Sequence, residues 1–133
     1  MVLDASVVIA WLLEEQHPEV PGLVDRLGEG VSIVPDLWHL EVRNALVIAV
    51  RRDRLTFPEV RLRLDDLRAL RMTTDSAPDL DVALDLAARH GLTYYDAIYL
   101  ELAKRRSSVL ATFDRNLALA AITEGVEVLP DPD

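Results

Sequence analysis

Four carboxylates fall where their apolar surroundings should exclude them. Asp4 interrupts the run MVLDASVVIAW, Glu41 sits on the apolar stripe of PDLWHLEVRNAL, Asp96 opens LTYYDAIYLELA, and Asp114 follows the apolar stretch of VLATFDRNL. An ionised carboxylate buried without a partner is costly or shifts its pKa, and no facing Lys or Arg is evident from spacing, the alternative being that Glu41 reaches Arg43 or a distant arginine. Two carboxylates about 5 Å apart repel by roughly 3 kcal/mol at an effective dielectric near 20, and three or four together by about 10 kcal/mol or more. Such a cluster persists at neutral pH only if it is protonated or holds a cation. The chain has no cysteine and three histidines, so Mg²⁺ or Mn²⁺ suits the donors better than Zn²⁺. The chemistry this points to is metal-dependent hydrolysis.

Polar neighbours extend the candidate set. On a 3.6-residue period Glu41 shares a face with Leu37, Asn44, Ala45 and Ile48. Asn44 either orients Glu41 or a water, or is a structural amide. Ser6 either assists a water in the metal's shell or caps a helix, and Asp4 could cap that helix too. Thr112, at a strand end, could position a water or a phosphate, or be a plain strand-end hydroxyl. Thr93 and Asp96 have capping-box spacing, and a carboxylate there is favoured in its ionised form by the helix dipole. Asp114 is placed to cap the last helix, and Arg115 beside it is a candidate phosphate contact. Lys104, Arg105 and Arg106 suit the negative end of a helix dipole. No pair among His17, His39 and His90 has metal-ligand spacing, so each reads as structural or exposed.

The elements that must position these groups alternate between strand-length apolar runs and helical periods. Strands are expected at 2–4, 31–34, 72–73 (weak), 109–112 and 126–129. Helices are expected at 6–15, 18–29, 35–52, 57–70, 78–90, 94–105 and 114–124. This alternation predicts an α/β fold with a mostly parallel central sheet flanked by helices, in three layers. In such sheets ligands sit outside the carboxyl ends of the strands. Asp4, Asp96 and Asp114 all map to that rim.

At 133 residues the chain reads as one domain over residues 1–130 with a loose tail at 131–133. A chain of this size buries roughly 65–70% of its unfolded surface, and half of it is apolar, which excludes general disorder. The absence of cysteine rules out a disulfide framework and fits the reducing cytoplasm. The N-terminus does not read as a signal peptide, and no run approaches the roughly 20 apolar residues that span a bilayer. The net charge of −9 argues against a general nucleic-acid-binding surface. Residues 43–71, however, hold eight arginines against four acids. That segment is either a solvated helix pair laced with ion pairs or a phosphate-contacting flank. The long helix starting near Asp36 is apolar nearly all round, so one face should pack on the sheet and another on a second subunit.

These motifs resemble, in order, those of the PIN domain family, in its VapC-like toxin branch, and the resemblance spans essentially the whole chain. The residues that carry it are DAS at 4–6, Pro35 with Glu41 and Asn44, YYDAIYLELA with Asp96, and ATFDRNL with Thr112 and Asp114. Asn116 stands near where some relatives carry a further acid, which leaves one metal ion or two open. The resemblance implies an Mg²⁺- or Mn²⁺-dependent endoribonuclease that works as a homodimer. It also implies a VapB-type antitoxin that blocks the pocket.

The mechanism expected is cleavage of single-stranded RNA by metal-activated water. Asp4, Asp96 and Asp114 hold the metal, and Glu41 lies in its first or second shell. Either Glu41 or Asp96 takes the proton. Two other readings compete with this one. A catalytically inactive PIN-like interaction module would bind a partner without chemistry. An aspartyl-nucleophile phosphatase would use Asp4, but Ser6 stands where its second Asp would be.

Overall fold

A computed structural model describes residues 1–131. Five strands form one wholly parallel sheet in the order β3-β2-β1-β4-β5. They are β1 (Val2–Leu3), β2 (Ser32–Pro35), β3 (Met72–Asp75), β4 (Leu110–Ala111) and β5 (Val128–Leu129). Among the described residues seven helices flank the sheet: α1 (Ala5–Leu12), α2 (Val20–Gly28), α3 (Asp36–Arg51), α4 (Phe57–Arg68), α5 (Leu80–His90), α6 (Tyr94–Arg105) and α7 (Arg115–Thr123). The expected α/β/α layering is what the chain adopts: α1 packs with α2 and α3, and α6 with α5 and α7.

The core explains why these segments fold as they do. β1 and β4 are wholly buried and apolar, as strands covered on both faces must be. Along α3, Trp38, Val42, Leu46 and Ala49 form the buried stripe, at spacings that keep them on one face. Helix α6 is buried without interruption from Ala97 to Ala103, so it runs as a central helix against the sheet rather than as a surface one. Gly91 ends α5 with φ of 63°, a left-handed cap that glycine adopts without strain.

The boundaries differ from expectation in instructive places. The segment read as a weak strand at 72–73 is one of the two longest strands, paired with β2 from Met72 to Asp75. Its sequence, MTTD, alternates poorly because β3 is a sheet edge with exposed Thr73 and Thr74. Helix α1 starts at Ala5, so Ser6 lies inside it and does not cap it. Asp4 occupies the cap position, yet its side chain makes no capping hydrogen bond. Of the expected tail, residues 132 and 133 lie outside the described residues. No described helix is long and apolar enough to cross a membrane.

The strand order puts the functional rim at the sheet's centre. From β1 the chain crosses to β2 on one side, while β4 lies on its other side and leads on to β5. That reversal opens a crevice beyond the carboxyl ends of β1 and β4. Asp4 directly follows β1, and Asp114 lies just past β4.

Candidate active site

Each acid reaches the crevice from a different element. Asp4 stands at the β1–α1 junction, Glu41 in the second turn of α3, Asp96 in the first turn of α6, and Asp114 at the N-cap of α7. The four lie within electrostatic reach of one another. Asp4 feels Asp114, Asp96 feels Asp114 and Asp4, and Glu41 feels Asp4 and Asp96. Among the described residues no Lys or Arg makes an ion pair with any of them.

The electrostatics follow from that arrangement. Burial raises the Asp4 pKa and repulsion from Asp114 adds to it, while hydrogen bonds from Thr112 and Ser6 oppose the shift. Asp96 is pushed up to about 6, first by burial and then by Asp114 and Asp4. Glu41 is raised by burial, with repulsion from Asp4 and Asp96 working in the same direction.

A scaffold of hydroxyls holds the acids in place. Ser6 Oγ donates to Asp4 Oδ2 at 2.8 Å, and Thr112 Oγ1 donates to the same oxygen at 2.6 Å. Thr112 Oγ1 accepts the Asp114 N–H at 3.0 Å, and Ser6 Oγ accepts the Phe113 N–H at 3.0 Å. The two hydroxyls therefore tie the end of β1 to the segment after β4. Asp114 Oδ1 accepts the Leu117 N–H at 3.0 Å, so this acid caps α7 as well as facing the cluster. Tyr99, fully buried one turn along α6 from Asp96, donates its hydroxyl to Glu41 Oε1 at 2.6 Å.

The other candidates divide. Ser6 and Thr112 are part of the site's hydrogen-bonded frame. Arg115 is exposed and lines a cleft with Thr112 and Asp114. Asn44 is exposed on α3, away from the buried stripe, and makes no side-chain hydrogen bond to Glu41. The arginines of 43–71 do not engage the acids. Arg63 pairs with Glu14, Arg68 with Asp65, and Arg43 binds the His39 carbonyl. Sequence reasoning missed Tyr99, whose place in YYDAIYLELA looks purely apolar. It also missed the stacking of His17 on Phe113, for which the sequence carries no signal.

The donor set is oxygen-only and unneutralised, which fits a hard dication by chemistry. Asp4, Asp96 and Asp114 are the residues that could hold one. Among the described residues, no three acidic or imidazole side chains stand ready to close on an ion as placed. Several of their oxygens are instead turned to Ser6, Thr112, Tyr99 and Leu117.

A parallel α/β sheet with an acid-lined crevice at its carboxyl edge defines the class. The sequence pattern of the PIN domain matches residues 1–122, and the chain belongs to the PIN domain family. It is 35% identical over 123 residues to ribonuclease VapC3 of Pyrobaculum aerophilum, covering 89% of this chain and 92% of that protein. It is 32% identical to ribonuclease VapC1 of Mycobacterium tuberculosis, covering 90% and 89%. Among solved structures, PAE2754 from Pyrobaculum aerophilum superposes with a TM-score of 0.71 at 28% identity, covering 96% of this chain and 82% of that one. FitAcB from Neisseria gonorrhoeae superposes with a TM-score of 0.70 at 22% identity, covering 98% and 96%, a likeness of fold.

Proposed function

We propose that this chain is a VapC-type toxin: an Mg²⁺- or Mn²⁺-dependent endoribonuclease that cuts single-stranded RNA, acts as a homodimer and is restrained by a VapB-like antitoxin. The observation that carries this reading is the cluster itself. Burial and mutual repulsion raise Asp4, Glu41 and Asp96 together, and no Lys or Arg among the described residues pairs with them. The relatives named ribonuclease VapC support the substrate class. The dimer and the antitoxin rest on the family resemblance.

Asp4, Asp96 and Asp114 are the ligands in this reading. When bound, a divalent cation supplies a Lewis acid that lowers the pKa of water and offsets charge on the scissile phosphate. The chain's own residues do the rest. Ser6 and Thr112 fix Asp4 by holding one of its oxygens. Tyr99 holds Glu41 by one oxygen and leaves the other to receive a proton. Asp96 is the alternative base in this reading. Arg115 meets a substrate phosphate. Hydrolysis by this route leaves 5′-phosphate and 3′-hydroxyl ends.

The test is end analysis of the cleaved RNA with Mn²⁺ and with chelator. The reading expects 5′-phosphate products that vanish with chelator; 2′,3′-cyclic phosphate ends would overturn it. One observation favours the second reading, an inactive PIN-like interaction module: among the described residues no three acidic or imidazole side chains are placed to close on an ion. A chain that cuts no RNA with either metal would support that module.

A further inference from the structure

Beside Asp114 lies a cleft of about 320 Å³ that the four acids do not account for. His17, Glu19, Thr112, Phe113, Asp114, Arg115 and Asp131 are among the residues that line it. Thr112 and Asp114 belong to both places, so the cleft adjoins the acid cluster. Its size falls at the small end of ligand pockets, roughly 300–1,000 Å³, which suits one nucleotide better than a long ligand.

Two features give the cleft a chemical preference. The first is aromatic. His17 and Phe113 stack with ring centroids 3.9 Å apart and planes at 19°, joining the α1–α2 loop to the segment after β4. Phe113 packs against the core, and His17 Nδ1 accepts the Glu19 N–H at 3.2 Å. Both rings are therefore held, half-buried, from behind. The second feature is charge. Arg115 is exposed and makes no ion pair among the described residues. Glu19, Asp114 and Asp131 sit on the same cleft, so Arg115 leaves room for a single phosphate, and a carboxylate can accept from the amino or imino group of a base.

The chain's net charge of −9 weakens long-range attraction for a polyanion, which raises the value of short-range contacts at the site. Stacking is the contact that needs no net charge and tolerates any base. We propose that this cleft is a nucleotide subsite. An unpaired base lies against the His17–Phe113 pair while its phosphate meets Arg115, next to the bond that the acid cluster attacks. The proposal rests on the nuclease reading and adds to it the element that seats the strand.

A short single-stranded RNA carrying 2-aminopurine, titrated by fluorescence, tests this. The parent is the full-length Asp96→Asn chain, which binds without cutting. His17→Ala is expected to weaken binding about tenfold and to lose the stacking quench, whereas His17→Phe keeps both within about twofold. Arg115→Ala weakens binding and lowers the salt slope by about one. Melting curves of each variant report on the fold. The subsite is overturned if His17→Ala binds and quenches like its parent, as it would if the rings served a protein partner. It is also overturned if His17→Phe fails as badly as His17→Ala. Wild-type chain that cuts RNA alongside an unaffected His17→Ala removes the subsite alone. Wild-type chain that neither binds nor cuts removes the nuclease reading and the subsite together.

Discussion

Helix α6 carries acids toward both ends, and burial treats them in opposite ways. In its first turn, Asp96 faces Asp4 and Asp114 without a cation and is pushed up to about 6. Toward its last turn, Glu101 is 2% exposed, yet Arg105 reaches it through Nε at 2.8 Å and Nη2 at 3.1 Å. The same guanidinium grips Asp75 at 2.8 and 3.0 Å, and Arg106 adds a bond at 2.9 Å. These bonds hold the Asp75 carboxyl well below the usual carboxylate range. Glu101 Oε1 and Asp75 Oδ1 also accept the N–H groups of Asp79 and Ala77, pinning the β3–α5 connection. A further, half-buried acid, Glu124, is met by Lys104, His90 and Arg89 and lowered to about 2. The fold supplies cations wherever a buried acid is structural. Where it withholds them, at one crevice, the acids stay available to an outside charge.

The contrast can be broken most forcefully at the unneutralised end. Asp96→Asn or Asp4→Asn is expected to lower RNA cleavage by about a thousandfold while the fold persists, read by initial rates and by melting curves. At the neutralised end the effect moves to stability. Arg105→Ala strands Glu101 and leaves Asp75 to Arg106 alone; it should cost about 3 kcal/mol, a fall of roughly 10 °C in melting temperature, with cleavage per folded molecule unchanged. Tyr99→Phe removes the hydroxyl that holds Glu41 and should reduce cleavage about tenfold with little change in melting. The smallest effect has the opposite sign to the usual mutation. Removing the repelled charge with Asp96→Asn should stabilise the metal-free protein by about 1 kcal/mol once solvent screening of a half-buried group is allowed for.

The two regions also respond to acid in opposite directions. The folded pKa of Asp96 lies above its unfolded value, 3.8 rising to about 6, so the native state binds its proton more tightly. Its contribution to stability is fully present below 3.8 and is lost as pH rises through about 6. Glu124 falls from 4.5 to about 2, so its contribution is present above 4.5 and is lost as pH falls toward about 2. Denaturant midpoints of metal-free protein should therefore show a gain on acidification from neutrality that Asp96→Asn reduces, and a later loss that Glu124→Gln reduces. A profile identical in wild type and Asp96→Asn would remove the first half of the comparison.

The sequence carried the four acids of the crevice because each interrupts apolar neighbours, and the parallel sheet because strand and helix periods alternate. Asp75 was not legible as a buried acid, since the edge strand MTTD shows no apolar alternation and its partners Arg105 and Arg106 are distant in the chain. Glu101 had a readable signal, Arg105 four residues on, but Lys104, Arg105 and Arg106 also satisfy a helix dipole, and that simpler role hid the pair. Asn44 shares the Glu41 face by period, but Glu41 is half-buried against Tyr99 while Asn44 is exposed, because Trp38, Val42, Leu46 and Ala49 take the core. The stack of His17 on Phe113 depends wholly on how the α1–α2 loop folds back, which no local pattern encodes.

Calorimetric titration of the metal-free chain with Mn²⁺ tests the central claim most directly. A saturable heat of at least one ion per chain, lost in Asp4→Asn and retained in Tyr99→Phe, is the predicted result. No heat at millimolar Mn²⁺, or an equal heat in Asp4→Asn, would contradict the claim that this crevice keeps its acids for a dication.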